Sequence, residues 1–447
     1  RSSSHEPTLS TRLDSEAGRL ATRSTGSSTR IGPHSAVGPA WRAGTCAERN
    51  GAATQDAIDV SGHGVAPWGV RLLHVVPTYL PATRYGGPIY AVHGLCRALV
   101  ARGHDVDVFT TNVDGDHESD VPLGVPVDLD GVSVRYFRST FRRLYVSPAM
   151  RAALAASIAG YDAVHLHSVF LWPTYAAARA AARHGVPYIV SPRGMLVSEL
   201  IARKSRFAKK LWIGAVERQT FAKAVAVHFT AQVEWDDARR IGIPLPNPII
   251  VPNGIDLPAA GPTPRLPDTL LFLGRINWKK GLDFLIDAVK NVPGVKVVIA
   301  GNDDEGLTPK LRAQAERNGI ADRIDFRGPV SGAAKEALLR TSTALVLPSL
   351  SENFGNVVLE AMAVAMPVIV TPEVGLAADV ESAGAGIVTG NLPEPLATAI
   401  RRLLGDEGAR ATMGERGREL VQSRFTWDRV AAEMEQHYMR IAAGRTT

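Results

Sequence analysis

The sequence predicts an α/β protein built from two facing, doubly wound domains, with its working site in the cleft between them. Three observations predict it. Short apolar runs alternate with stretches of helical pattern, and they do so in two successive series. A proline-rich break separates the two series. Glycine turns and charged turns follow several of the runs, where open α/β sheets hold their ligands.

The first series begins at Arg71–Val76, an apolar run that reads as a buried strand. A glycine pair, Gly86 and Gly87, follows it, then a helical pattern over Ile89–Ala101 and a second strand over His104–Phe109. Strand, glycine turn, helix and strand make one parallel unit. Further strands are expected at Val132–Phe137, Ala163–Leu166, Tyr188–Ser191 and Ala224–Phe229, with helices at Ser147–Ala159 and Thr174–His184. The second series places strands at Thr269–Leu273, Val295–Ala300, Arg323–Phe326, Ala344–Leu347 and Pro367–Thr371. Its helices are expected at Leu282–Lys290, Thr308–Asn318, Ala333–Thr341 and Asn356–Val364.

The expected organisation is therefore a first domain over 68–256, a linker over 257–268, a second domain over 269–425, and a last helix within 426–447 that returns to the first domain. Residues 1–67 are rich in Ser, Thr, Gly, Ala and Arg and show no sustained period. Such a segment buries too little apolar surface to offset its ordering entropy. It reads as a disordered extension, or as an artefact of where the reading frame begins, since residue 1 is Arg.

Bulk composition narrows the class. An apolar content of 45% with 21% charged residues fits a globular chain. Two cysteines, Cys46 and Cys96, make neither a disulfide framework nor a zinc cluster and suit a reducing cytoplasm. No apolar run approaches the ~18 residues of a membrane span.

The most informative stretch is Ser349–Ala363. The apolar run before it ends at Pro348, the chain turns through Ser351 to Gly355, and good helix formers follow from Asn356. The first N–H groups of that helix have no internal partners, and with the helix dipole they form an anion site. Gly355 lets a ligand approach the backbone. Glu352 and Glu360 flank the turn. A phosphate would avoid them, but sugar hydroxyls are donors that a carboxylate accepts in pairs. The arrangement suits a ligand with sugar, diphosphate and ribose in series. A surface loop with two solvated glutamates is the plain alternative.

These two glutamates, with Asn353–Gly355 between them and Ala361–Ala363 after them, resemble the donor motif of the retaining glycosyltransferases of family 4, which have the GT-B fold. The resemblance extends from about Leu72 to Trp427. It implies that Glu360 holds the ribose hydroxyls and Glu352 those of the transferred sugar. It also implies that the backbone of Phe354, Gly355, Asn356 and Val357 lines the sugar and phosphates. Arg275 and Lys280 fall in the loop after the first strand of the second domain. Two cations there can neutralise a diphosphate leaving group, and they resemble the family's donor-phosphate pair. Lys279 competes with Lys280, but Lys280 precedes the glycine as the pattern requires. Gly86 and Gly87 form a side-chain-free turn that lets the first domain close on the phosphates. Pro88 and the lack of a full Gly-x-Gly-x-x-Gly argue against a dinucleotide cofactor. Val330, in Phe326–Val330, resembles the loop that meets the base. Thr371–Gly375 resembles a further donor loop, but Leu376 stands where the family has a second glycine.

His165 and His167 share one face of their strand, and His167 stands at its tip. The family places a histidine there beside the reacting sugar, which makes His167 the catalytic candidate with Glu352, Arg275 and Lys280. No third ligand is in sight, so no metal site is expected. Arg193, after another strand, is a candidate acceptor contact. From Arg193 to Lys223 there are eight basic residues and two acids. Arg203, Lys204, Arg206, Lys209 and Lys210 lie beside Phe207, Leu211 and Trp212, a pattern that fits an anionic membrane surface. A solvated face over a packed stripe is the alternative, and nucleic acid is not the expected partner.

The expectation is thus a cytoplasmic retaining hexosyltransferase of cell-surface glycan synthesis, peripheral to the membrane. It would use a UDP- or GDP-linked sugar, a glycan or lipid-linked acceptor, and no cofactor or metal. The rivals are a GT-B nucleotide-sugar epimerase and a non-catalytic sugar-nucleotide or membrane-binding protein.

Overall fold

A computed structural model describes residues 69–84, 86–197, 212–259, 261 and 265–444. The expected segment 1–67 and the basic residues Arg203, Lys204, Arg206, Lys209 and Lys210 lie outside the described residues.

Two open sheets organise the chain. The first has eight strands in the spatial order Pro248–Ile250, Ala226–Phe229, Tyr188–Ser191, Ala163–His167, Arg71–Thr78, Asp105–Thr111, Val132–Phe137 and Pro126–Leu129. All neighbours are parallel except the last pair. The second has six parallel strands in the order Ile324–Gly328, Lys296–Ala300, Thr269–Leu273, Ala344–Leu347, Val368–Val370 and Gly386–Val388.

This topology decides where a ligand can sit. Strand order reverses between Arg71–Thr78 and Ala163–His167 in the first sheet, and between Thr269–Leu273 and Ala344–Leu347 in the second. Crossovers leave such a switch point to opposite sides, which opens a crevice at the carboxyl ends of the strands. The loops that leave three of these strands carry Gly86 and Gly87, Arg275 with Lys280, and Glu352, and His167 is the last residue of the fourth strand.

Apolar residues fill both faces of the first sheet and surround the second. The last helix, Trp427–Ala443, belongs to the core of the first domain: Val430, Ala431, Met434 and Tyr438 pack with Leu72, Val92 and Leu95. Its Trp427 indole lies against Gly94 and Gly254, where a side chain larger than hydrogen would collide with it. Beside it, Ile255 pairs with Thr426, so both crossings between the domains run side by side.

Trp212 is committed inward. Its Nε1 donates to the buried Glu217 at 2.9 Å, and its ring stands edge-on to Tyr175. It is therefore unavailable for the membrane insertion that the sequence allowed.

Candidate active site

A cleft of about 2070 Å³ runs between the two sheets. It is lined by Gly86, Gly87, Arg193, Arg275, Lys280, Val330, Glu352, Phe354, Gly355, Asn356, Val357 and Glu360. Residues as far apart in sequence as Gly86 and Glu360 are thus brought to one wall or the other.

Two helix N-termini meet across it. The helix Asn356–Ala363 starts after Gly355, whose φ of 93° is left-handed and suits glycine. The helix Gly87–Ala101 starts after Gly86, at φ 63° and ψ −129°, a region that residues with a side chain avoid. A Cβ on Gly87 would meet the Asn356 amide at 2.7 Å. Neither helix has an acidic residue in its first turn. Pro88 has no N–H, and those of Ile89 and Val358 donate to the Gly86 and Gly355 carbonyls at 3.1 and 2.8 Å, so the N–H groups of Gly87, Asn356 and Val357 and two positive dipole ends meet across the cleft.

Charged side chains line the same cleft. Lys280 forms an ion pair with Glu352, and Lys335 pairs with Glu360 at 2.6 Å. Arg275 lies 3.4 Å from Asp304 and is half-exposed. Lys335 escaped the sequence reading because its helix, Gly332–Thr341, carries no motif. Asp303, the other member of the acidic pair at Asp304, accepts from the N–H groups of Leu307 and Thr308, each at 2.8 Å.

The donor loop is held from two sides. Glu352 bridges to Val374, and Gly375 donates to the Glu352 carbonyl at 3.0 Å. Leu376, which departs from the family pattern, is wholly buried in the second core. On the other side Asn353 reaches the first domain. The amide orientation that satisfies both of its neighbours accepts from the Thr230 hydroxyl at 2.9 Å and donates to the Glu234 carboxylate at 3.2 and 3.3 Å.

His167 is placed differently from the expectation. It is 1% exposed and lies behind the cleft wall, and both ring nitrogens are engaged. Alternation along parallel strands puts His74, His165, His167 and His228 on one face, under Tyr438 of the last helix. The hydrogen bonds assign every tautomer. Arg193 can only donate, and its Nε and Nη2 reach His167 Nδ1 at 3.3 and 3.2 Å. His167 Nε2 therefore carries the proton and donates to His74 Nδ1 at 3.0 Å. His74 Nε2–H is left buried without an acceptor. In the second chain His228 Nε2 donates to the Val251 carbonyl at 2.9 Å, His165 Nε2 to His228 Nδ1 at 3.3 Å, and the Tyr438 hydroxyl to His165 Nδ1 at 2.6 Å. All four rings are neutral. Burial, with the Arg193 charge, holds His74 down at about 3 and His228 at about 3, and pushes His165 and His167 well below the usual range.

His74, His165 and His167 have ring nitrogens close enough to hold a metal ion. The hydrogen-bond pattern already uses the ring nitrogens of this trio except His74 Nε2, and a guanidinium sits beside the group, which disfavours a cation there.

Residues 86–254 match the model of the glycosyl transferase 4-like domain, and residues 258–420 match that of glycosyl transferases group 1. The chain is a GT-B glycosyltransferase of family 4. It is 27% identical over 406 residues to the D-inositol 3-phosphate glycosyltransferase of Xylanimonas cellulosilytica, spanning 83% of this chain and 96% of that one. It is 26% identical to an uncharacterized glycosyltransferase of Methanocaldococcus jannaschii, spanning 80% and 95%. Among solved structures, the glycosyltransferase shares its fold with sucrose-phosphate synthase from Thermosynechococcus elongatus, at TM-score 0.68 and 22% identity over 84% of this chain and 100% of that one. It shares it also with Anabaena HepE in complex with UDP-glucose, at TM-score 0.67 and 17% identity over 83% and 100%. As a member of this family the glycosyltransferase uses a nucleotide-sugar donor.

Proposed function

We propose that this glycosyltransferase moves a hexose from a UDP- or GDP-linked donor, with retention of anomeric configuration, to a glycan or lipid-linked acceptor. The observation that carries the reading is the meeting of two helix N-termini with Lys280, Arg275, Glu352 and Glu360 in one cleft. The diphosphate sits on the helix N-termini. Glu360 accepts the ribose hydroxyls, Glu352 those of the sugar, and the backbone at Val330 meets the base. Arg275 and Lys280 stabilise the charge that develops on the departing phosphate. That phosphate takes the acceptor's proton on the same face, so no base is required opposite the donor. No metal is required either: Asp303 is spent on its own loop and Asp304 faces Arg275.

The reading places the enzyme in the cytoplasm, peripheral to the inner face of the membrane, in cell-surface glycan synthesis. The basic residues from Arg203 to Lys210 would hold it there. A phosphorylated acceptor is the second reading. The names of the inositol 3-phosphate and sucrose-phosphate enzymes favour it, as do Arg84 and Arg143 on the first-domain wall of the cleft, which have no ion pair among the described residues.

A thermal-shift screen of nucleotide sugars tests the donor, because a ligand bound only by the folded state raises the melting point. Proton NMR of the product then reads the anomeric configuration; inversion would reject the mechanism. Incubation without acceptor separates the epimerase: an altered sugar favours it, and slow hydrolysis favours the transferase. Binding without turnover on a broad acceptor panel would favour a non-catalytic protein.

A further inference from the structure

Arg193 leaves the carboxyl end of the strand Tyr188–Ser191 with φ at 53° and lines the cleft. A guanidinium has five N–H groups. Nε and one N–H of Nη2 go to His167 Nδ1, and one N–H of Nη1 goes to Asn253 Oδ1 at 2.9 Å. One N–H on each terminal nitrogen has no acceptor among the described residues.

Its surroundings withhold a counter-charge. The ring it touches is neutral, and so are the three histidines behind that ring. Asn253 is neutral too. Glu234 acts on Arg193 through space, and its oxygens accept from the N–H of Gly194 at 2.7 Å, from the N–H of Thr230 at 2.8 Å and from the Asn353 amide at 3.2 and 3.3 Å. No carboxylate among the described residues forms an ion pair with Arg193. A largely buried cation without a partner is costly unless something anionic completes it.

The position of Arg193 says which anion. Asn253, after accepting from Arg193, donates to Asn356 Oδ1 at 2.9 Å, and Asn356 is the first residue of the helix on which the diphosphate is read to sit. One side chain therefore separates the guanidinium from the meeting point of the two helix ends. We propose that Arg193 is a third cation for the donor's diphosphate, supplied by the first domain and aimed by His167 and Asn253. The proposal rests on the donor reading above. As the bond from the anomeric carbon to the phosphate oxygen breaks, the electron pair stays on that oxygen. The two unspent N–H groups of Arg193 meet the charge opposite Arg275 and Lys280. The acceptor oxygen bonds to the anomeric carbon, and its proton passes to the departing phosphate. His167 is then a positioning residue: it holds the fork and takes no proton.

Calorimetry on the full chain tests this with UDP and GDP, each beside its nucleoside. Arg193→Met should weaken the diphosphate that the parent binds by about tenfold to a hundredfold, the range for a lost charged hydrogen bond, and leave the nucleoside unchanged. Asn253→Asp keeps the shape and places a carboxylate on Arg193; it should weaken the diphosphate selectively as well, which keeps the test open if the first variant does not fold. Equal losses for diphosphate and nucleoside would overturn the proposal. So would unchanged diphosphate binding with a raised KM for acceptor, which would move Arg193 to the acceptor. Failure of the parent to bind either diphosphate would overturn the donor reading itself, and the proposal with it.

Discussion

Acidification should destabilise the first domain through its buried histidines. The perturbation is a shift from about pH 7.5 to pH 5 at constant ionic strength. An unfolded chain protonates His74 and His228 as pH falls through 6.5, whereas burial keeps the folded rings neutral down to about 3. The unfolded state therefore binds more protons throughout this window, and stability falls as pH falls. It is complete above 6.5 and is lost progressively toward 3. At pH 5 each ring costs about 2 kcal/mol, so this pair alone costs about 4 kcal/mol of a typical 5–15. His165 and His167 push in the same direction. For a domain of this size the pair lowers Tm by roughly 8–16 °C. Scanning calorimetry from pH 7.5 to 5 measures it. His74→Asn keeps an acceptor for His167 and removes a titrating ring, so its acid-induced loss should be smaller by about 2 kcal/mol. A Tm that does not move with pH, or an identical drop in the variant, would refute the reasoning.

The remaining predictions concern the cleft and its supports. Glu360→Ala should weaken binding of the free nucleotide by about 1.5–3 kcal/mol, while Glu352→Ala should spare it and abolish transfer; parent-like calorimetry for both variants would reject the assignment. Activity should survive chelation, and loss with EDTA that magnesium or manganese restores would reject the metal-free mechanism. Gly94→Ala drives a methyl group into Trp427, so it should lower stability by about 1–3 kcal/mol in a thermal melt. Changing Arg203, Lys204, Arg206, Lys209 and Lys210 to Gln should abolish sedimentation with anionic vesicles, at about 1 kcal/mol per charge, and leave nucleotide binding intact; equal sedimentation of parent and variant would leave a soluble acceptor as the better reading.

Buried parallel strands were the most legible elements. Val132–Phe137, Tyr188–Ser191, Thr269–Leu273 and Ala344–Leu347 match the reading residue for residue, because the last three are largely apolar runs, the first begins with apolar and polar residues in alternation, and each is bounded by turn residues. Pro126–Leu129, Pro248–Ile250 and Gly386–Val388 were not read, being edge strands of three or four residues with one buried position or none. Charged motifs were legible because loops at a topological switch point must converge. The histidine layer was not. His165 sits 273 positions from Tyr438, and no local period links them. A signal did exist: Arg71–Thr78, Ala163–His167 and Ala226–Phe229 each place a histidine on the same alternate face, and a layer of that kind has to be satisfied collectively.

The charge pattern of the cleft also explains why a sugar nucleotide should be preferred to either of its halves. Lys280 is paired with Glu352, Lys335 with Glu360 and Arg275 with Asp304. These groups are partly exposed, so the pairs are worth little and cost little to rearrange. A free phosphate that takes Lys280 leaves the Glu352 carboxylate without a partner, against the ligand's own charge. A free sugar that satisfies Glu352 leaves Lys280 without an anion. A molecule carrying hydroxyls and a diphosphate a few bonds apart satisfies both members at once, and the same holds for Lys335 and Glu360 at the ribose end. Each ion pair is then exchanged for two favourable contacts rather than broken. The bridges between the domains use other groups: Asn356 meets Asn253 through neutral amides, and Asn353 meets the Thr230 hydroxyl and the Glu234 carboxylate, so none of them draws on Arg275, Lys280 or Lys335.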